Sequence, residues 1–232
     1  MNGVMIESKI DFINLKVRTI AALEEWWDEL DAHRPGQPKV DRERALEELE
    51  LSFMPTKRIF DRFFSMPNSH TFQMKPVADL LNQYVSRLSC IIDPFARDSK
   101  WATVSNDINP EFCCQYQLDA VEFLDHCLNG WGMEGKFETV LFDPPYSPRQ
   151  IAECYRVIGR KTKMTDTQNA RLYKECRDRL TRLLKPNGYA LSFGWNSMGF
   201  GIGRGFEVEH VRLVNHGAAH NDTICVVERK AR

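Results

Sequence analysis

From Pro76 to the end of the chain, apolar patterning alternates between helical and strand periods, and this alternation most constrains the fold. VADLLNQYVSRL (77–88) carries apolar residues at helical spacing, and SCIID (89–93) follows as a short apolar run suited to a buried parallel strand. WATVSND (101–107) predicts a second strand, AVEFLDHCL (120–128) a helix and FETVLFD (137–143) a further strand. A long helix is predicted over 165–184, then strands over 188–195, 206–214 and 222–230. Strands alternating with helices require a mostly parallel sheet covered on both faces, an α/β architecture. The last two strands are joined by too few residues for a helix and predict an antiparallel hairpin at one edge.

Upstream, residues 1–64 read as a helical N-terminal extension, distinct from a domain over 65–232. Leu15, Ile20, Leu23, Trp26, Trp27 and Leu30 lie near helical spacing, HRPGQPK (33–39) breaks the pattern, and Asp41 resembles an N-cap before RERALEELELSF. Trp26 and Trp27 are expected to pack a core or a partner, which makes these helices the candidate surface for a protein partner or a homodimer. No apolar run is long enough to span a membrane, so no membrane association is expected. MNGVMIESKIDF lacks the basic flank and apolar stretch of a secretory signal. Seven scattered cysteines with no C-x-x-C pair fit free thiols in a reducing cytoplasm, the expected location. His216 and His220 have a ligand-like spacing but no evident third ligand, so no metal is expected.

The formal net charge is −1, but it is unevenly spread. Arg149, Arg156, Arg160, Lys161, Lys163, Arg171, Lys174, Arg177, Arg179, Arg182 and Lys185 face only Glu153, Asp166, Glu175 and Asp178 in the same stretch. A solvated helix face and an anionic partner, nucleic acid foremost, both account for such a run. GIGRG (201–205) opens no helix and reads as a flexible loop, not a dinucleotide fingerprint.

Open parallel sheets bind ligands beyond the carboxyl ends of their strands. Three predicted strands end in acids there, Asp93, Asp107 and Asp143. The last is followed by two prolines and a tyrosine, DPPY (143–146), where a bare turn would need only Asp and Pro for its geometry. A carboxylate and a rigid main-chain carbonyl can both accept from an aromatic amine, draw its nitrogen toward a pyramidal shape and localise its lone pair. Two prolines fix that carbonyl, and a tyrosine offers a face on which a base can stack.

DPPY after an apolar strand resembles the catalytic motif of class I S-adenosylmethionine-dependent amino-methyltransferases, the DNA adenine-N6 type in particular. IIDPFARDS (91–99) resembles that family's cofactor motif, HTFQMKPVADLL (70–81) the motif preceding it, and SNDINP and YQLDAVEFL the segments flanking the cofactor's ribose and adenine. The resemblance covers roughly residues 70–230. It implies a Rossmann-like fold with a mostly parallel seven-stranded sheet, S-adenosyl-L-methionine as cofactor, and methyl transfer to a flipped-out adenine in DNA, of phage or restriction-modification type. Asp143, Pro144, Pro145 and Tyr146 would be catalytic. Asp93, Pro94, Phe95 and Ala96 would surround the methionine moiety; Asp107 would bind the ribose hydroxyls; Asp119, with Ala120, would accept from the adenine amine. Lys75 and Pro76 would lie near the methionine end, where Lys75 could pair with the carboxylate. From the basic run, Arg149, Arg156, Arg160, Lys161 and Lys163 are the candidate nucleic-acid contacts; Trp195 and Asn196, at the end of the strand over 188–195, are candidates to line the target pocket, with core packing the alternative for Trp195.

Two departures stand out. Arg97 and Ser99 occupy positions that are usually glycine in the family; either Arg97 pairs with the cofactor carboxylate or the altered loop binds less well. Only about ninety residues follow Tyr146, too few for a separate target-recognition region, so short or lax target specificity is expected. Asp at the first motif position argues against protein glutamine methyltransferases, which usually show Asn, and cytosine-N4 enzymes, which usually show Ser. An RNA amino-methyltransferase and a non-catalytic nucleic-acid-binding relative remain as alternatives.

Overall fold

The structure, a computed structural model, describes residues 25, 27, 28, 59–86, 88–161, 169–217 and 220–231. The chain divides into two units, Met1–Thr56 and Lys57–Arg232. In the first, Glu25, Trp27 and Asp28 are helical and Trp27 is buried. Trp26 and the helix expected after Asp41 lie outside the described residues.

The second unit is a seven-stranded sheet wrapped by helices. Its strands are β1 (Ile59–Phe64), β2 (Ile91–Asp93), β3 (Val104–Ser105), β4 (Phe137–Phe142), β5 (Leu184–Gly194), β6 (Phe206–Asn215) and β7 (Thr223–Lys230). Its helices are α1 (Lys75–Tyr84), α2 (Ala120–Asp125, continued as a π-helical turn His126–Gly130), α3 (Pro148–Val157) and α4 (Asn169–Leu183). The spatial order is β1-β6-β7-β5-β4-β2-β3. Every neighbouring pair is parallel except β7, which runs antiparallel between β5 and β6.

Alternation along the buried strands splits the core between the two faces. Ile92, Val140, Phe142 and Ala190 pack with Phe123 and Leu124 of α2 and with Cys176, Leu180 and Leu183 of α4. Ile91, Leu141, Leu191 and Phe193 pack on the other face with Val77, Leu80 and Leu81 of α1. Each fully buried Leu or Ile stabilises the fold by about 1.5–3 kcal/mol. α1 starts at Pro76 within its first turn and buries Val77, Leu80 and Leu81, the i, i+3, i+4 stripe that its sequence carries.

Three expectations need correction. Residues 59–64 are not helical: IFDRFF is rich in aromatic strand formers, and it pairs in parallel with β6 from Ile59↔His210 to Phe64↔Asn215. This strand brings the sheet to seven, and the first unit ends at Thr56, short of residue 64. The β6–β7 hairpin is therefore not at the edge, because β1 lies outside it. Finally, no helix was predicted between DPPY and the helix over 165–184, yet α3 lies there. Ser147 caps it by accepting from the Gln150 amide, Pro148 stands at its start, and the chain leaves it through Gly159 at φ 71°.

Beyond β5, the fully buried Glu228 accepts from the Phe200 and Gly201 amides and fixes the loop that carries Trp195. Gly199 sits at φ 51° against that carboxylate, where a Cβ would fall 2.2 Å from Glu228 Oε2.

Candidate active site

The carboxyl ends of β2, β3 and β4 meet in one place because the three strands are adjacent and parallel. Asn106, fully buried just past β3, joins the loops there. Its side-chain amide donates to the Pro94 and Leu118 carbonyls at 3.1 and 3.0 Å, and its oxygen accepts from the Leu118 amide at 3.0 Å. The Asp93 Oδ1 accepts from the Phe95 amide at 2.9 Å, which turns the chain sharply after β2. Asp107 accepts from the amides of Asn109 and Arg97.

These loops enclose a cavity of about 480 Å³, a size that suits a small-molecule ligand. Pro94, Phe95, Arg97, Asp107, Asp119, Ala120, Asp143, Pro144, Pro145 and Tyr146 all line it, so most of the predicted cofactor and catalytic residues share one space. Asp93 and Ala96 are buried behind it. Lys75 does not reach it: its side chain is 85% exposed and pairs with Asp79 at 2.9 Å, because Val77, Leu80 and Leu81 take the inner face of α1. Pro76 is buried, and its carbonyl accepts from Arg212.

Arg97 adopts φ 49°, the left-handed conformation that glycine favours. The loop keeps the backbone path of a glycine at this departure point. Its guanidinium donates to the Ser69 carbonyl at 2.6 Å and lies 5.1 Å over the Phe112 ring. Those ties offset the strain of the backbone, which for a residue with a Cβ is about 1–2 kcal/mol. Its Nε is buried without a hydrogen-bond partner, as is Asp93 Oδ2. Arg97 lines the cavity, so its unused donor fits the carboxylate of an amino-acid moiety, while Asp93 sits behind the lining.

At the other end, the Tyr146 hydroxyl donates to Asp143 Oδ1, and Thr71 hydrogen-bonds both side chains. Asp143 keeps further lone pairs, since a carboxylate offers about four acceptor sites. Burial raises the pKa of Asp143, and burial together with the Asp143 charge pushes the Tyr146 phenol up. Burial likewise raises Asp107, and raises Asp93 strongly, with the charges of Asp143 and Asp107 adding to it. Tyr173 of α4 donates to the Pro145 carbonyl at 2.7 Å and Gln150 of α3 accepts from the Tyr146 amide at 2.5 Å, so two helices pin the DPPY turn. Thr71, Asn106, Tyr155 and Tyr173 were missed as site residues, although the HTFQ segment carried a signal for Thr71 and SNDINP one for Asn106.

Asp119 caps α2, accepting from the Val121 amide, and its second oxygen accepts from the Tyr155 hydroxyl at 2.6 Å. The Trp195 ring stands 5.5 Å from that of Tyr146, 42% exposed and outside the cavity. The Asn196 side chain is turned back to accept from the Met198 amide.

The basic run is largely neutralised by ion pairs. Arg149 meets Glu153, Arg171 meets Glu175, Lys174 meets Asp178, Arg179 meets Asp125, Arg182 meets Glu134 and Lys185 meets Glu138. Arg177 is buried over the Phe142 and Tyr173 rings. Arg156 and Lys161 are exposed at the end of α3 and beyond it, Arg160 lies over Tyr155, and Lys163 falls outside the described residues. Among the described residues, no group of three potential metal ligands occurs and no helix is long and apolar enough to cross a membrane. His216 instead bonds the Ser65 carbonyl and the Thr223 hydroxyl.

The mostly parallel seven-stranded sheet, with β7 its one antiparallel strand, third from the β1 edge, and helices on both faces, is a Rossmann-like fold. β1 forms one edge, and at the other an isolated bridge, Asn106↔Tyr116, stands outside β3. No family model matches the sequence and no curated protein matches it. Among solved structures, PH0851 aligns over 66% of this chain and 45% of its own, at 13% identity and a TM-score of 0.44; this chain thus spans less than half of that protein. The 1,6-didemethyltoxoflavin-N1-methyltransferase of Burkholderia thailandensis, bound to S-adenosylhomocysteine, aligns over 68% of this chain and 78% of its own, with 13% identity and a TM-score of 0.45. A SAM-dependent methyltransferase from Methanosarcina mazei aligns over 66% and 97%, with 10% identity and a TM-score of 0.42.

Proposed function

We propose that the protein is an S-adenosylmethionine-dependent amino-methyltransferase acting on the N6 amine of adenine in DNA. The observation that carries this is the shared cavity: the DPPY turn and the loops after β2 and β3 line one space of about 480 Å³. The cofactor, when bound, supplies an electrophilic methyl on a sulfonium. Arg97 would hold its carboxylate and Asp107 its ribose, with Asp93 shaping the loop between them through the Phe95 amide. Asp143 and the Pro144 carbonyl accept the N–H bonds of the target amine and localise its lone pair. The Tyr146 ring, fixed by its own hydroxyl on Asp143, takes the base by stacking, worth about 1–3 kcal/mol. The pKa of Asp143, raised by burial, makes its carboxylate a better acceptor for the proton that the amine sheds. Rate comes chiefly from positioning, without a covalent enzyme intermediate.

Nucleoside mass analysis tests this on DNA and RNA from cells expressing the chain or its Asp143→Ala variant. N6-methyladenine in DNA with the wild type and not with the variant supports the reading. Methylated RNA alone moves the substrate to the alternative nucleic acid, and equal methylation in both samples removes Asp143 from the chemistry.

A further inference from the structure

The Asp119 carboxylate, expected to meet the cofactor's adenine amine, is already engaged on both oxygens. One caps α2 and the other holds the Tyr155 hydroxyl at 2.6 Å. Tyr155 lines the 480 Å³ cavity and also a neighbouring open groove of about 780 Å³, so its ring is part of the wall between them. The Arg160 guanidinium lies 4.7 Å over that ring and 4.0 Å from Asp119. Arg160 lines the groove and not the cavity, so it covers the groove side of the ring. Ile108 and Ala120, apolar residues just beyond β3 and at the start of α2, line the same cavity as Tyr155.

We propose that Tyr155 is the platform on which the purine of the cofactor stacks, with Asp119 anchoring its hydroxyl and Arg160 backing its ring. The inference rests on the cofactor reading given above. A ring held at its hydroxyl and on one face is already ordered, so stacking on the other face costs little further entropy. α3 then serves both ends of the site. Gln150 holds the Tyr146 amide and Tyr155 stands five residues on, about 7.5 Å along the helix at 1.5 Å per residue. Asp119 on this account orients the platform, and its remaining lone pairs stay open to the adenine amine.

The test is calorimetric titration of the full chain with S-adenosylhomocysteine, and separately with adenosine, for wild type, Tyr155→Phe, Tyr155→Leu and Arg160→Ala. Circular dichroism confirms that each variant is folded. Both Tyr155 variants lose the bond to Asp119, but only phenylalanine keeps a ring. Tyr155→Phe is expected to bind both ligands within about threefold of wild type, Tyr155→Leu about tenfold or more weakly, and Arg160→Ala about two- to fourfold more weakly. Equal affinities for the leucine and phenylalanine variants would overturn the platform while leaving the cofactor reading intact. A wild-type chain that binds neither ligand would overturn both.

Discussion

Asp93, Asp107 and Asp143 hold their protons more tightly than free aspartates, because burial penalises their charged forms. The native state therefore binds more protons than the unfolded chain just above the ordinary carboxylate range. Stability must fall as pH rises through that window. Asp93, fully buried with one oxygen unpartnered, contributes most. Asp93→Asn is expected to flatten the fall, as read from urea midpoints between about pH 4.5 and 8; superimposable profiles would remove Asp93 as its source. Arg97 offers a second residue-scale test. Arg97→Ala and Arg97→Gly both lose the bond to Ser69, but only glycine relaxes the φ of 49°. The glycine variant should be the more stable by about 1 kcal/mol. The acids, the DPPY turn and the anomaly at Arg97 were legible in the sequence because each breaks a local pattern. The segments holding Thr71 and Asn106 were legible but their roles were not, because those come from hydrogen bonds to Asp143 and Tyr146 and to Pro94 and Leu118, which chain order does not show.

α3 shows how an element escapes a periodicity argument. Only Ile151 of its ten residues is fully buried, so no apolar stripe announces it. The sequence does carry its punctuation, Ser147, Pro148 and Gly159. Ser147→Ala should cost about 1 kcal/mol of stability through the lost cap, and should weaken cofactor binding as Tyr155 loses its support. β1 was misread for a different reason: it follows a segment of helical pattern and gains its strand partner only from β6, about 150 residues later. Arg212 of β6 holds it with two bonds to Asp61, at 2.9 and 2.6 Å. Burial pulls Asp61 up, but the hydrogen bonds and charges of Arg212 and His210 outweigh it and leave the carboxyl below its usual pKa. This pair thus gives stability that is lost as pH falls below the ordinary carboxylate range, the opposite sign to the rim acids. Asp61→Ala leaves the Arg212 charge buried and unpaired and should cost about 3 kcal/mol in denaturant unfolding.

Across the whole molecule, alternation of helix and strand fixed the two-faced sheet, and strand adjacency then gathered acids from separate segments into one rim. Sequence order alone could not show that most of the basic run would be matched by carboxylates from α2, α4 and the β4 region. That neutralisation bears on substrate binding. With Arg156 and Lys161 meeting phosphates and Arg160 held by Tyr155 and Asp119, log affinity should fall with log salt at a slope of about −2, near −0.9 per contact. Fluorescence anisotropy of a labelled oligonucleotide against potassium chloride reads this directly; a slope steeper than about −6 would mean that the ion pairs open on binding.

The most direct measurement is transfer of a tritiated methyl group from S-adenosylmethionine to an adenine-containing DNA oligonucleotide by the purified full chain, beside Asp143→Ala. The shared cavity of cofactor loops and DPPY turn predicts label on the adenine amine with the wild type and a loss of about a hundredfold or more in the variant, with S-adenosylhomocysteine still bound by both. Label transferred equally by both chains, or none transferred by a wild type that binds the cofactor, would contradict it.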